Sequence, residues 1–322
     1  MNTIKIIFLA ALTLLSINTA LANDELYKPF VLASKGPGDL TAKTNAAKAA
    51  LTANGFTIVG TYSPYPAANI LIVTNDEMRK NAGESEFGGF GAAQRVALTK
   101  VKNEIQVSYT NPVYMTNVYR MKGDLQNVAT ALEKALGKTE EFGGKGTTAN
   151  KLRKYHYMFG MEYFNEPSVL AEYGSYEEAI AAVEAGLAAK SEGVSKVYRI
   201  DVPGKQEAVF GVAMAGKPGS TKVTKEVAPG QDEQFGTLMT GAPETDQYIM
   251  SVIDFGEIKS TAHLPYEILV SGKNVYAQYA RFRIAISFPT LKMMGMNSFM
   301  NIMECPEAIK SALTKTVTVS KK

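Results

Sequence analysis

The chain has 322 residues, with 34 lysines and arginines against 31 aspartates and glutamates, 46% hydrophobic residues and a single cysteine, Cys305. A net charge of +3 over that length offers no basic footprint of the kind that displaces counterions from a nucleic acid, which excludes that class of partner. One thiol excludes internal disulfides, so packing must supply the stability, and roughly 300 residues beyond the leader suffice for two domains of ordinary size.

The first stretch, MNTIKIIFLAALTLLSINTALA, carries one positive side chain at Lys5, an apolar run from Ile6 to Leu15, and Ala20 and Ala22 flanking Leu21. This is the pattern of a secretory signal peptide over residues 1–22, cut after Ala22, and it predicts a periplasmic or secreted protein. No later stretch has the ~18 uninterrupted apolar residues of a membrane span, so no transmembrane segment is expected in the mature chain.

Residues 23–137 then read as a first α+β unit. LYKPFVLASKG predicts an opening strand and AKTNAAKAALTANGF an alanine-rich helix; FTIVGTY, ANILIVT, AQRVALTKV and NEIQVSYT follow as strands, and DLQNVATALEKAL closes with a helix. Between two of these strands stands GGFG, Gly88 to Gly91. A dinucleotide loop needs a third glycine and a following helix, whereas here Gln94 and a strand follow, so GGFG predicts a connection in which glycine admits unusual dihedrals. Residues 138–151, within the Gly- and charge-rich GKTEEFGGKGTTANK, have the composition of a flexible linker.

A second unit spans residues 152–322. Its expected elements are a strand at RKYHYMFGMEYF, a helix at YEEAIAAVEAGLAAK, strands at VSKVYRID and QEAVFGVAM turning at Pro203-Gly204, a strand at LPYEILVSG, a strand at ARFRIAISFP, and a helix at CPEAIKSALTK. An insertion at about 216–260 includes a strand-like QYIMSVIDFG, and a long insertion in one unit suits a lid, a partner-binding loop or equally a plain solvated excursion. NEIQVSYTNP pairs with ARFRIAISFP in this reading, since both alternate at period two and stop at a proline.

The fold class expected is therefore α+β: two repeated β-α-β-β-β-β-α units, each a curved antiparallel sheet with helices on one face, packed as an internal pseudo-dimer. That order, with GGFGAAQRVALTKVKNEIQVSYTNP in one unit and HLPYEILVSGKN before RFRIAISFP in the other, resembles the family catalogued as domain of unknown function 302. The resemblance implies a TATA-binding-protein-like fold and a tendency to form dimers, so a second copy of the chain joins the candidate partners. Many members have cysteine after the Leu-Pro pair; here Tyr266 stands there, so a thiol-based role is not implied. The family carries no agreed activity.

Candidate sites are few. Arg281 and Arg283, alternating with Phe282 and Ile284 on the expected strand and preceded by Tyr276 and Tyr279, would present a guanidinium face for a carboxylate, phosphate or sulfur oxyanion. Met293, Met294, Met296, Met300 and Met303 lie beside Cys305. Met296, Met300, Met303 and Cys305 are soft donors suited to Cu(I), but the i, i+4, i+7 spacing of the three methionines is also that of a buried helix stripe. His156 and His263 belong to no H-E-x-x-H or H-x-H pattern, and no spacing pairs them with Asp254 or Glu257. No catalytic residue and no cofactor is implied. The reading is a non-catalytic exported protein that binds a small ligand or a periplasmic protein, with a Cu(I)-handling protein and an enzyme of unknown reaction as alternatives.

Overall fold

A computed structural model describes residues 25–157, 160–217, 223–226 and 238–319. The expected leader, residues 1–22, and much of the insertion, 218–222 and 227–237, lie outside the described residues. The first half opens with β1 (Leu26–Tyr27), β2 (Phe30–Pro37), α1 (Leu40–Ala53), β3 (Thr57–Tyr62) and β4 (Ala68–Thr74). It continues with α2 (Asp76–Glu84), a 3-10 turn over Gly88–Gly91, β5 (Gln94–Val101), β6 (Glu104–Thr110), α3 (Pro112–Val118) and α4 (Gln126–Leu136). Short polar side chains set the helix starts: Asp39 accepts from Ala42 N at 2.8 Å, Asn75 from Met78 N at 2.9 Å, and Asn111 caps α3 just before Pro112.

The Gly-rich stretch after α4 is paired rather than a free tether. It forms β7 (Glu140–Phe142) on the edge of the first sheet, then β8 (Thr147–Thr148) against β1, then α5 (Ala149–Leu152). The sheet runs β3-β4-β5-β6-β2-β7, antiparallel throughout.

The second half contains β9 (Ser168–Glu172), α6 (Tyr176–Ala189), β10 (Val194–Asp201) and β11 (Glu207–Met214), then a small hairpin of β12 (Val223–Glu226) and β13 (Leu238–Gly241). After it come α7 (Asp246–Ile253), a 3-10 turn at Thr261–His263, β14 (Tyr266–Ser271), β15 (Asn274–Ala277), α8 (Ala280–Ser287), a 3-10 turn at Phe299–Ile302 and α9 (Cys305–Val317). Its antiparallel sheet runs β10-β11-β14-β15-β9. Among the described residues no helix is long and apolar enough to cross a membrane.

Three segments expected as strands are not strands among the described residues. ARFRIAISFP is not a strand: β15 ends at Ala277 and Ala280–Ser287 is helix. Phe282, Arg283, Ile284, Ala285, Ile286 and Ser287 are all buried and only Arg281 is partly exposed, so the helix has too little solvent face to impose a 3.6-residue period, and the chance alternation of Arg with apolar residues imitates a strand. QYIMSVIDFG is likewise helical in α7, where Tyr248 to Ile253 are buried throughout. RKYHYMFGMEYF contributes no strand among its described residues, and the opening strand of this half is β9.

Each sheet has one face under helices. Val96 and Leu98 of β5, with Val107 and Tyr109 of β6, pack against Leu51 of α1 and Val128 and Leu132 of α4. In the second half α6 and α9 lie so close that a Cβ on Gly186 would stand 1.9 Å from the Thr316 carbonyl oxygen. The other faces of the two sheets meet each other. Successive residues of a strand point to opposite sides, so β5, which gives Val96 and Leu98 to the helices, sends Arg95 and Thr99 into the seam between the halves.

Candidate functional site

The seam begins with GGFG. A Cβ on Gly89 would lie 2.5 Å from Leu269 Cδ1, so glycine there lets the turn approach the second sheet, and one on Gly91 would lie 2.4 Å from Met121 Sδ, so glycine there lets the turn pack against the chain after α3. Gly89 N donates to the buried carboxylate of Glu207 at 2.8 Å. The expectation of a plain connection into a strand holds for the local chain path, but the turn is also a docking surface for β11 and β14.

Deeper in the seam lies a charged cluster. Arg95 Nη2 is 2.6 Å from Glu267 Oε1 across the two sheets, both side chains being almost wholly buried. Tyr198 OH donates to the same oxygen at 2.5 Å, and its ring lies where a side chain on Gly211 would stand, since a Cβ there would be 1.9 Å from Tyr198 Cε1. Arg283 Nη1 is 3.5 Å from Glu267 Oε2. Burial pulls the Arg95 guanidinium down, but Glu267 beside it more than offsets this, and its pKa ends above the usual value. Burial drives the Tyr198 hydroxyl well up, with the Glu267 charge adding to the effect.

Beside the cluster, His263 is held neutral. Its ring packs between Ser287 Oγ, 2.9 Å from Nδ1, and Tyr266 OH, 3.3 Å from Nε2; burial, with the positive Arg283 and Arg95, depresses its pKa far below the ordinary imidazole value. Asp246, at the start of α7, reaches back to the first half: Oδ2 accepts from Tyr62 OH at 2.5 Å and from Met214 N at 2.9 Å, whereas Oδ1 has no partner among the described residues. Burial lifts this carboxyl to about 7 even against those two donors.

At the edge of the seam, the loop after α7 folds onto β6. Gln106 clamps it from the first half, its Nε2 donating to the Glu257 carbonyl at 2.8 Å and its Oε1 accepting from Lys259 N at 2.8 Å. The loop is closed internally by Asp254, whose Oδ1 accepts from Ser260 N at 2.8 Å and whose main-chain carbonyl accepts from Lys259 Nζ at 3.2 Å. Asp254 is buried and its carboxyl is pushed up to about 6, desolvation outweighing the nearby Lys259 charge; burial lowers Lys259 in turn.

This loop forms one wall of a cleft of about 430 Å³. Phe142, Gly143 and Gly144 come from the first half, Asp254, Phe255, Glu257 and Ile258 from the loop, and Phe288 and Leu291 from the segment after α8. Phe255 is 47% exposed and lends its ring to this wall. The cleft thus combines phenyl rings with two carboxyl groups. Asp254, already engaged by Ser260, provides a fixed acceptor rather than a mobile base.

The residues singled out in the sequence lie elsewhere. Arg283 is 3% exposed and directs its guanidinium to the carbonyls of Pro265 and His263 at 2.9 and 2.6 Å, so it is a buried brace and not an open anion site. Arg281 pairs with Glu162 and lies 5.1 Å from the Tyr279 ring. Tyr276, on β15, packs its ring edge-on to Phe87 at 5.3 Å. The two arginines do not share a sheet face, because the segment that carries them is a helix.

The methionines are placed opposite to the core stripe their spacing suggests. Gly295 at φ 104° and Asn297 at φ 54° stop a helix from forming through them, and Met294 and Met296 are 74% and 73% exposed. Met293 and Met300 are neighbours through a Met300 N to Met293 O bond of 3.1 Å, whereas Cys305 is buried at the start of α9. Among the described residues no group of three or more His, Cys, Asp or Glu is arranged to hold a metal ion.

Sequence reasoning passed over Gln106, Lys259, Phe142 and Phe255, which shape the cleft. Alternation along NEIQVSYT does mark Gln106 as opposite in face to Ile105 and Val107, but what it would meet depends on a loop some 150 positions later. No protein-family model matches the chain, and neither a curated protein nor a solved structure does so.

Proposed function

We propose that this chain is an exported, non-catalytic binding protein whose ligand occupies the cleft between its two halves. The observation that carries the reading is the construction of that cleft: about 430 Å³, walled from both halves, lined by aromatic rings and closed by a buried carboxyl. Its acidic and aromatic lining fits a small, partly apolar ligand that carries a hydrogen-bond donor or a positive charge.

Supporting the architecture is the shared strand order. Numbering from β2 and from β9, and leaving out edge strand β7, each main sheet runs second-third-fourth-fifth-first. We read this as one duplicated unit forming an internal pseudo-dimer, in line with the resemblance to domain of unknown function 302; joining two units in one chain keeps the cleft walls at high effective concentration.

The test is native mass spectrometry of the mature protein purified from its own host, beside a Leu291→Trp variant that fills the cleft. A co-purifying small molecule is expected in the parent and lost from the variant. Retention by Leu291→Trp moves the site elsewhere, and a parent that carries nothing and gives no thermal shift with a metabolite panel removes the reading.

One observation favours a second reading, a Cu(I)-handling protein. Met293, Met294, Met296, Met300 and Met303 are all substantially exposed on one loop, offering thioethers to solvent. The parent should then take up Cu(I) in a competition titration, and Met293→Leu with Met300→Leu should lower the affinity at least tenfold. Equal uptake by parent and variant rejects it.

A further inference from the structure

A separate hollow of about 410 Å³ lies where the chain leaves α3 and α5, and it is lined by Arg120, Arg153, Lys154, His156 and Tyr163. Three permanent cations and an imidazole thus converge on one space, and none of the three pairs with a carboxylate among the described residues. Acidic residues near these cations along the chain make other contacts: Asp124 accepts from Gln126 N at 3.1 Å, Glu162 holds Arg281, and Glu166 accepts from Tyr163 N at 3.0 Å.

Neutral groups hold the guanidinium forks in place. Arg120 Nη1 donates to Asn165 Oδ1 at 2.7 Å and its carbon sits 5.4 Å from the centre of the Tyr163 ring; Arg153 Nη1 donates to the Met121 carbonyl at 3.0 Å. The His156 ring packs on the same tyrosine, with centroids 4.6 Å apart. Each fork is oriented without losing its charge, and each has further N–H donors to give.

Arg120 stands where the chain turns out of α3. Its backbone is left-handed, φ 49°, just past the end of α3, a conformation that suits glycine and strains other residues.

We propose that this hollow binds a small phosphorylated organic molecule, its phosphate held by Arg120, Arg153 and Lys154. Several converging positive donors favour a dianionic phosphate over a single carboxylate, and planar forks match its oxygens. The hollow has room for more than a bare phosphate ion. The site is distinct from the cleft between the halves and does not depend on it.

The experiment is isothermal titration of the full mature protein at low ionic strength with phenyl phosphate, inorganic phosphate and benzoate, against Arg120→Gly, Lys154→Ala and the remote control Lys48→Ala. Saturable binding of phenyl phosphate is expected, tighter than benzoate by at least tenfold. Arg120→Gly and Lys154→Ala should each weaken it at least tenfold, with Lys48→Ala unchanged, and Arg120→Gly should melt no lower than the parent. No heat with phenyl phosphate in the parent, equal affinity for benzoate, or equal weakening by Lys48→Ala overturns the proposal. If Arg120→Gly does not fold, Arg120 is a structural residue and Lys154→Ala decides: undiminished binding there also overturns it.

Discussion

Asp246 shows how much a single buried carboxyl can write into the behaviour of the chain. In the unfolded state it titrates near the usual carboxylate value of about 4, whereas in the fold it holds its proton up to about 7. Between those values the folded chain keeps a proton that the unfolded chain has lost. Its stabilising contribution is therefore full below about pH 4 and is lost as the pH rises towards 7, by at most about 1.4 kcal/mol per pH unit. Asp254 acts in the same sense, with its upper limit at about 6. In urea titrations across pH 4 to 8, Asp246→Asn, which keeps an acceptor for Tyr62 and Met214 N, should remove most of this decline. A parent and variant that fall in parallel would show that Asp246 is ionised throughout. Neither aspartate is distinguishable in the sequence, since burial is a property of what packs on it.

Among the elements, the helix pair α6 and α9 presents two opposed effects whose sizes decide the outcome. Gly186 lies inside α6, where alanine would gain about 1 kcal/mol in helix propensity. Against this, the added Cβ would meet the Thr316 carbonyl oxygen at 1.9 Å, a backbone atom that cannot rotate away. Overpacking of this kind costs roughly 1–3 kcal/mol, so Gly186→Ala should be net destabilising by about 1 kcal/mol, read as a lower urea midpoint at unchanged slope. Elements with distinctive local chemistry were legible in the sequence: the alanine-rich helices α1 and α6, the strands ANILIVT and QEAVFGVAM with their β-branched and aromatic residues, and the Pro203-Gly204 turn all lie where the residues put them. The elements α7 and α8 were not, because each is buried nearly all round and its period carries no signal.

Across the whole molecule, the two halves are joined by polar groups as well as by apolar packing. Arg95 and Glu267 come from different sheets, and breaking a buried pair of this kind by removing one partner costs about 3–5 kcal/mol. Arg95→Met should approach the lower end, since Arg283 remains near Glu267, and Arg95→Met with Glu267→Met should cost less than the two single changes added together by more than about 1 kcal/mol. With so much of the core shared, the parent should unfold in one transition, by both tyrosine fluorescence and circular dichroism. Separate transitions for the two probes would mean that the halves are energetically independent.

The linear order of residues determined the α+β class, most of the strands that make each sheet and the helices that cover their outer faces. Each of those rests on local period, capping and turn chemistry, which are written in neighbouring residues. Tertiary structure alone decided that GGFG is a docking turn, that Arg283 braces the interior, that the methionine loop faces solvent and that the cleft draws its walls from both halves. These depend on contacts between residues far apart in the chain: Gly89 must meet Glu207 and Gln106 must meet Lys259 before either has a role. The free energy of such meetings comes from burial and electrostatic pairing at a distance along the chain, and no window of local sequence contains it.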